Sequence, residues 1–193
     1  MHKLEFRRQI IHIIYGPAII LLHLYDILTL PILFGMILGG SIMSFMIKRE
    51  RLGLCRRVLS LFERDHHMAN FPGRGVLFFT IGAFLSLLLF DPLPAYAGIL
   101  ILSFGDAVSN LVGRHYGKIK TKLNPDKYVE GTFVGILVSI PIAYFFVPNL
   151  PAAIAASCIA MFLEMPNIRI FNFEIDDNLL IPIGASFTLS LFI

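Results

Sequence analysis

The stretch Ser103 to Thr132 reads SFGDAVSNLVGRHYGKIKTKLNPDKYVEGT. Asp106 sits inside an otherwise apolar segment. A short basic loop carrying Gly113 and Gly117 follows, and a second apolar segment begins at Glu130-Gly131-Thr132. An ionisable side chain within a membrane span is costly unless it meets a cation or a partner, and it marks function by default. A buried carboxylate beside a basic loop can hold a metal-bound phosphate at a membrane surface. The stretch thus points to a helical membrane protein with chemistry on a phosphorylated or phosphate-accepting lipid.

Composition agrees with this reading. The chain is 56% hydrophobic and 15% charged, with a mean hydropathy of +0.77, whereas soluble domains carry about 25% charged residues. Such a chain cannot cover its surface with polar groups in water, so an integral membrane protein is expected. Its 193 residues suffice for one bundle, a single catalytic domain over 1–193, with no room for a separate soluble domain. Cys55 lies in a basic loop and Cys158 in an apolar segment, which argues against a structural disulfide. The apolar run after Met1 to Arg8 lacks a small-residue cleavage site and reads as a retained helix.

A spanning helix needs about 20 mostly apolar residues. Candidates lie near 9–25, 27–47, 75–90, 94–112, 131–147, 151–165 and 179–193. Lys3, Arg7 and Arg8 precede the first; seven basic residues from Lys48 to Arg74 follow the second; five from Arg114 to Lys127 follow the fourth; Arg169 follows the sixth. With seven spans these regions share one face and hold all 16 Lys and Arg residues. The positive-inside rule makes that face cytoplasmic. The expected fold is an all-α, polytopic bundle of about seven transmembrane helices with its N-terminus in the cytoplasm. Its setting is a prokaryotic cell membrane, or the endoplasmic reticulum in a eukaryote. Within loop 48–74, Leu52, Val58, Leu59 and Phe62 interleave with arginines and could form an amphipathic helix on the headgroups; for most of the arginines a solvated positive-inside loop is the preferred reading. Gly35 with Gly39, and Ala152, Ala156 and Ala160, have small-residue spacing for close helix packing.

Asp106, Ser109, Asn110 and Gly113 follow helical spacing and share one narrow polar face. Gly113 and Gly117 allow a tight turn and close approach to a ligand. The helix start at Glu130-Gly131-Thr132 offers free N–H groups and a positive dipole to a phosphate, with Lys127 just before it. Asp176-Asp177-Asn178 opens the last helix, and Glu164 ends the sixth at the same level. Oxygen donors of this kind suit Mg2+, which takes one or two carboxylates plus substrate phosphates. Glu5, Arg8 and His12 share a face of the first helix and could line an entrance or contact phosphate. No Walker-type phosphate loop is present.

These residues resemble the CTP-dependent lipid kinases, a family that includes dolichol kinase, phytol kinase and a CTP-dependent diacylglycerol kinase. The matching motifs are Gly105-Asp106-Ala107, Gly113-Arg114-x-x-Gly117, Lys127-x-x-Glu130-Gly131-Thr132, and Asp177-Asn178-Leu179 with Pro182; Glu5-x-x-Arg8-x-x-x-His12 and the Glu63 to Gly75 region also look alike. The related phosphatidate cytidylyltransferases share part of this pattern but typically end with a His-Gly-Gly…Asp-Arg-x-Asp segment, which is missing here. The resemblance implies transfer of the γ-phosphoryl group of CTP to a membrane alcohol, a dolichol, polyprenol or related isoprenoid, or diacylglycerol. It implies catalytic Asp106, Lys127, Glu130 and Asp177. Mg2+ or another divalent cation is expected on Asp106, Glu164, Asp177 and Asn178. Nucleotide contacts are expected from Arg74, Gly105, Asn110, Gly113, Arg114, Gly117, Lys118, Gly131 and Thr132. A membrane and a nucleotide triphosphate are the expected partners, and nucleic acid is not. A cytidylyltransferase is the main alternative. A transporter fits less well, because the polar groups gather at one membrane face.

Overall fold

The computed structural model describes residues 2–166, 168–170 and 173–193. The order is α1 (His2–Leu24), α2 (Leu30–Lys48), α3 (Gly53–Leu59), α4 (Asp65–Asn70), α5 (Arg74–Leu89), α6 (Pro92–Leu100), a π-helical turn (Ile101–Asp106), α7 (Ala107–Tyr116), α8 (Val129–Phe146), α9 (Leu150–Leu163) and α10 (Asp177–Ser190). A two-residue antiparallel pair, β1 (Arg169–Ile170) with β2 (Phe173–Glu174), joins α9 to α10. About three quarters of the described residues are helical.

Local chemistry sets the helix starts. Pro31, Pro92 and Pro151 fall in the first turns of α2, α6 and α9, where a missing N–H costs nothing. Asn149 caps α9 by accepting the Ala152 N–H at 3.2 Å. Asp176 caps α10 by accepting the Asn178 N–H at 3.2 Å. Gly73, with φ +78°, turns the chain into α5, a conformation that other residues adopt only under strain.

Each apolar stretch falls on a helix. Among the described residues three helical segments are long and apolar enough to cross a membrane: Leu30–Lys48, Pro92–Tyr116 and Val129–Phe146. The second is the central one, with 72% of its apolar stretch buried, against 17% and 28% for the others. It packs against α10, α8 and α1. The outward faces carry large exposed side chains such as Ile14, Ile42, Phe133 and Phe145, a surface larger than water-soluble monomers tolerate. α9 and α10, at 14 residues each, extend only about 21 Å, less than the ~30 Å hydrocarbon core.

Close packing is carried by α7 on α8 and by α8 and α10 on α9. Ala152, Ala156 and Ala160 are fully buried there, as their spacing suggests. Gly35 and Gly39 differ from that expectation: a Cβ at either would meet nothing within 4 Å among the described residues. Their helix α2 packs on α5 through other positions. At Gly131 a Cβ would lie 2.4 Å from the Ser109 carbonyl oxygen and 2.9 Å from Gly113 Cα. Gly131→Ala should therefore force α8 off α7 and cost about 1–3 kcal/mol. A thermal melt in detergent reads this as a lower midpoint; an unchanged midpoint would show that the two helices can separate freely.

The segment after α2 is only partly as expected. α3 has seven residues, and Leu54 and Val58 are as exposed as Arg56 and Arg57, so no long amphipathic helix forms. Cys55 and Cys158 are free thiols.

Candidate active site

One cavity gathers most of the polar chemistry, at the end of the bundle where α1, α5 and α10 begin and α7 and α9 end. Its volume is about 130 Å3, room for on the order of ten water positions, or a phosphate group with its ion. Two walls of opposite charge face each other across it.

The acidic wall centres on Asp106. The helix widens into its π turn at Ile101–Asp106, a feature often found at functional sites, and the turn ends on this residue. Asp106 is buried. Its Oδ1 accepts from Asn110 Nδ2 at 2.8 Å and lies 3.4 Å from Lys127 Nζ; its Oδ2 lies 4.0 Å from His12 Nδ1. Lys127 reaches the cavity because the segment after α7 folds back on itself: Val129 N–H donates to Ile119 O at 2.9 Å, and Thr121 N–H to Lys127 O at 2.9 Å. The ammonium then donates to Glu164 Oε1 at 2.5 Å and Asp177 Oδ2 at 3.3 Å. Burial would lower its pKa, but the carboxylates of Glu164, Asp106 and Asp177 outweigh burial and hold it above the usual lysine range. Glu164 also accepts from Ser109 Oγ at 3.0 Å. Asp176 accepts from Arg74 Nε at 2.9 Å. Burial, and next the adjacent Asp177 charge, push its pKa up against the pull of Arg74.

The cationic wall is built on Glu5, before the apolar part of α1. Its buried carboxylate accepts from Arg8 at 3.0 and 3.2 Å, from Gln9 at 3.1 Å and from Arg64 at 3.0 Å, and pairs with Arg114 at 3.7 Å. Burial would raise its pKa, but the three guanidiniums outweigh it and bring the value to about 2. One carboxylate thus holds three guanidiniums from α1, the start of α4 and α7. The excess positive charge faces the cavity, and Arg114 Nε is buried there without a hydrogen-bond partner. Such a fork-lined surface matches phosphate oxygens.

Several expected residues come together here: Arg74, Asp106, Asn110, Arg114, Lys127, Glu164, Asp177 and Asn178 all line the cavity. Others lie elsewhere in the structure. Glu130 points to the preceding loop, where it accepts the backbone N–H groups of Lys118 at 2.9 Å and Ile119 at 3.1 Å; it holds the return that delivers Lys127. Lys118 is exposed outside the cavity. The glycines lie at close contacts. A Cβ at Gly105 would lie 2.4 Å from Ser139 Oγ, and one at Gly117 would lie 2.2 Å from Gly113 O. Gly113 and Gly131 form the α7–α8 contact described above. Thr132 Oγ1 donates to Tyr128 O within α8. Arg64, Gln9, Asn124 and Asp126 line the cavity without having stood out in the sequence. Arg64 is one of many basic residues in its loop, and only its pairing with Glu5 distinguishes it.

Among the described residues no three His, Cys, Asp or Glu side chains stand at metal-ligand spacing. The point on which Asp106, Glu164 and Asp177 converge is filled by the Lys127 ammonium. The donor chemistry nevertheless fits a hard divalent cation: the groups are all oxygen donors, and Glu164 Oε2 and Asn178 Oδ1 are buried without a hydrogen-bond partner.

The arrangement gathers carboxylates and guanidiniums around one small cavity at one end of the bundle. The chain belongs to the family of an uncharacterized protein of Methanocaldococcus jannaschii, with 30% identity over 189 residues, 96% of this chain and 93% of that one. It is similar to a phytol kinase of Synechocystis, at 25% identity over 194 residues, 94% of this chain and 77% of the relative. It is also similar to a dolichol kinase of Arabidopsis thaliana, at 38% identity over 58 residues, 30% of this chain and 10% of the relative. No family model matches the chain, and no solved structure matches it.

Proposed function

We propose that the protein is a kinase of an isoprenoid alcohol that takes its phosphoryl group from CTP at the cytoplasmic face of a membrane it crosses seven times. The observation that carries this reading is the pairing of an acidic wall with a three-arginine wall across one small cavity. The similarity to kinases of phytol and dolichol supports the acceptor class. Preference for CTP rests on the family resemblance.

Arg8, Arg64 and Arg114 bind the phosphate chain of the nucleotide. Mg2+ would be held by Asp106 and Asp177, with Glu164 and Asn178 as further donors, and would neutralise phosphate charge during transfer. Lys127 releases those carboxylates and turns its ammonium to the transferring phosphoryl oxygens. The lipid hydroxyl oxygen forms a bond to the γ-phosphorus while the bond from γ-phosphorus to the bridging oxygen breaks, giving CDP and a lipid monophosphate. The hydroxyl proton passes to Asp106 or Asp177. Positioning and electrostatic stabilisation suffice for this chemistry.

Glu5→Gln removes the charge that gathers the three guanidiniums. The KM for CTP should rise on the order of tenfold, a loss of about 1.4 kcal/mol, with a smaller change in kcat. Steady-state kinetics with varied CTP check this; an unchanged KM would place the nucleotide elsewhere. Product analysis with CTP and geranylgeraniol tests the reaction type. CDP with a lipid monophosphate is expected, and pyrophosphate with a CDP-lipid would make the protein a cytidylyltransferase.

A further inference from the structure

A second cavity, of about 410 Å3, lies between α1, α2 and α5. Its lining is almost entirely apolar: Met36, Met43, Ile47, Leu59, Val76 and Leu77 dominate, with Gly39 and Gly40 on the α2 side. Met36 to Ile47 run along α2 for about 16 Å. Met36, Met43 and Val76 are partly exposed, so the groove opens sideways where lipid would surround the bundle. Methionines suit a surface that must fit a flexible chain.

We infer that this groove holds the hydrocarbon chain of the alcohol whose hydroxyl is phosphorylated in the charged cavity; the inference rests on the kinase reading above. Two helices join the sites. On α5, Gly75 lines the charged cavity while Gly73 and Val76 line the groove; on α1, His12 lines the first and Tyr15 the second. The Phe79 ring touches both α1 residues, edge-on to His12 at 5.4 Å and to Tyr15 at 5.2 Å. The groove thus approaches the charged cavity along both helices, with the buried Phe79 ring between His12 and Tyr15. Of the polar groups in the wall, the Tyr15 hydroxyl and Thr80 Oγ1 satisfy each other at 2.8 Å, and Ser44 is buried. Gly39 lines the groove, and a Cβ there would meet nothing within 4 Å among the described residues, so a larger side chain can be placed in the groove as a probe.

The test is Gly39→Leu in the purified full chain with CTP and Mg2+. The new side chain projects into the groove and touches neither charged wall. The KM for geranylgeraniol should rise on the order of tenfold or more, while turnover of prenol, too short to fill the groove, stays at the wild-type level. Equal KM values for geranylgeraniol in wild type and Gly39→Leu overturn the groove. If the wild type phosphorylates neither alcohol, the kinase reading fails, and photolabelling still decides the groove. A diazirine analogue of geranylgeraniol should label 36–47 or 73–80 and be displaced by unlabelled geranylgeraniol. Labelling elsewhere, or labelling that unlabelled alcohol does not displace, as for bulk membrane lipid, overturns it.

Discussion

Asp106→Ala should lower phosphoryl transfer by about 1000-fold or more while the protein still inserts and melts as a bundle. Loss of a single preorganised electrostatic group at a reacting centre costs about 100- to 1000-fold, and Asp106 has more than one role. It terminates the π turn, it receives Asn110 and Lys127, and it is a leading candidate both for holding the cation and for taking the hydroxyl proton. The fold should survive because Asp106 sits at a cavity, where water can replace its oxygens, and because Lys127 keeps Glu164 and Asp177 as partners. Label transfer, with size-exclusion chromatography in detergent as the folding control, checks this. Wild-type turnover in a folded Asp106→Ala protein would make the mechanism wrong.

Lys127→Met should be inactive for a different reason and should also be unstable. Removing the ammonium leaves Asp106, Glu164 and Asp177 facing one another without compensation. Breaking a buried ion pair from one side costs about 3–5 kcal/mol. The melting midpoint in detergent should fall sharply, and millimolar Mg2+ should restore more of it in Lys127→Met than in wild type, because a divalent cation then competes with no resident ammonium. An equal Mg2+ response in both proteins would show that the three carboxylates do not share a cation site.

The helices were legible because apolar runs of this length have few alternatives. Asp106, Lys127 and Asp177 stood out because charge at the end or interior of such a run is expensive. Other features had no local signal. The π turn depends on how α6 and α7 pack, and nothing in ILSFGD announces it. Glu5 and Arg64 meet across 59 positions of sequence, so their pairing is a property of the assembled bundle. Gly105, Gly113 and Gly131 were ambiguous, because a glycine that admits a phosphate and a glycine that admits a neighbouring helix look alike in sequence. At Gly131 the nearby Ser109 carbonyl gives a packing reason for glycine. Glu130 likewise carried the right chemistry for catalysis, but its oxygens are used by the loop that returns Lys127.

The most direct measurement uses the purified chain in detergent with Mg2+, γ-labelled CTP and geranylgeraniol, beside γ-labelled ATP and the Asp106→Ala variant. Label on the lipid from CTP, little from ATP and none with Asp106→Ala is the predicted result. Label that stays on nucleotide while pyrophosphate appears, or transfer that persists without Asp106, would contradict a CTP-dependent alcohol kinase working from this cavity.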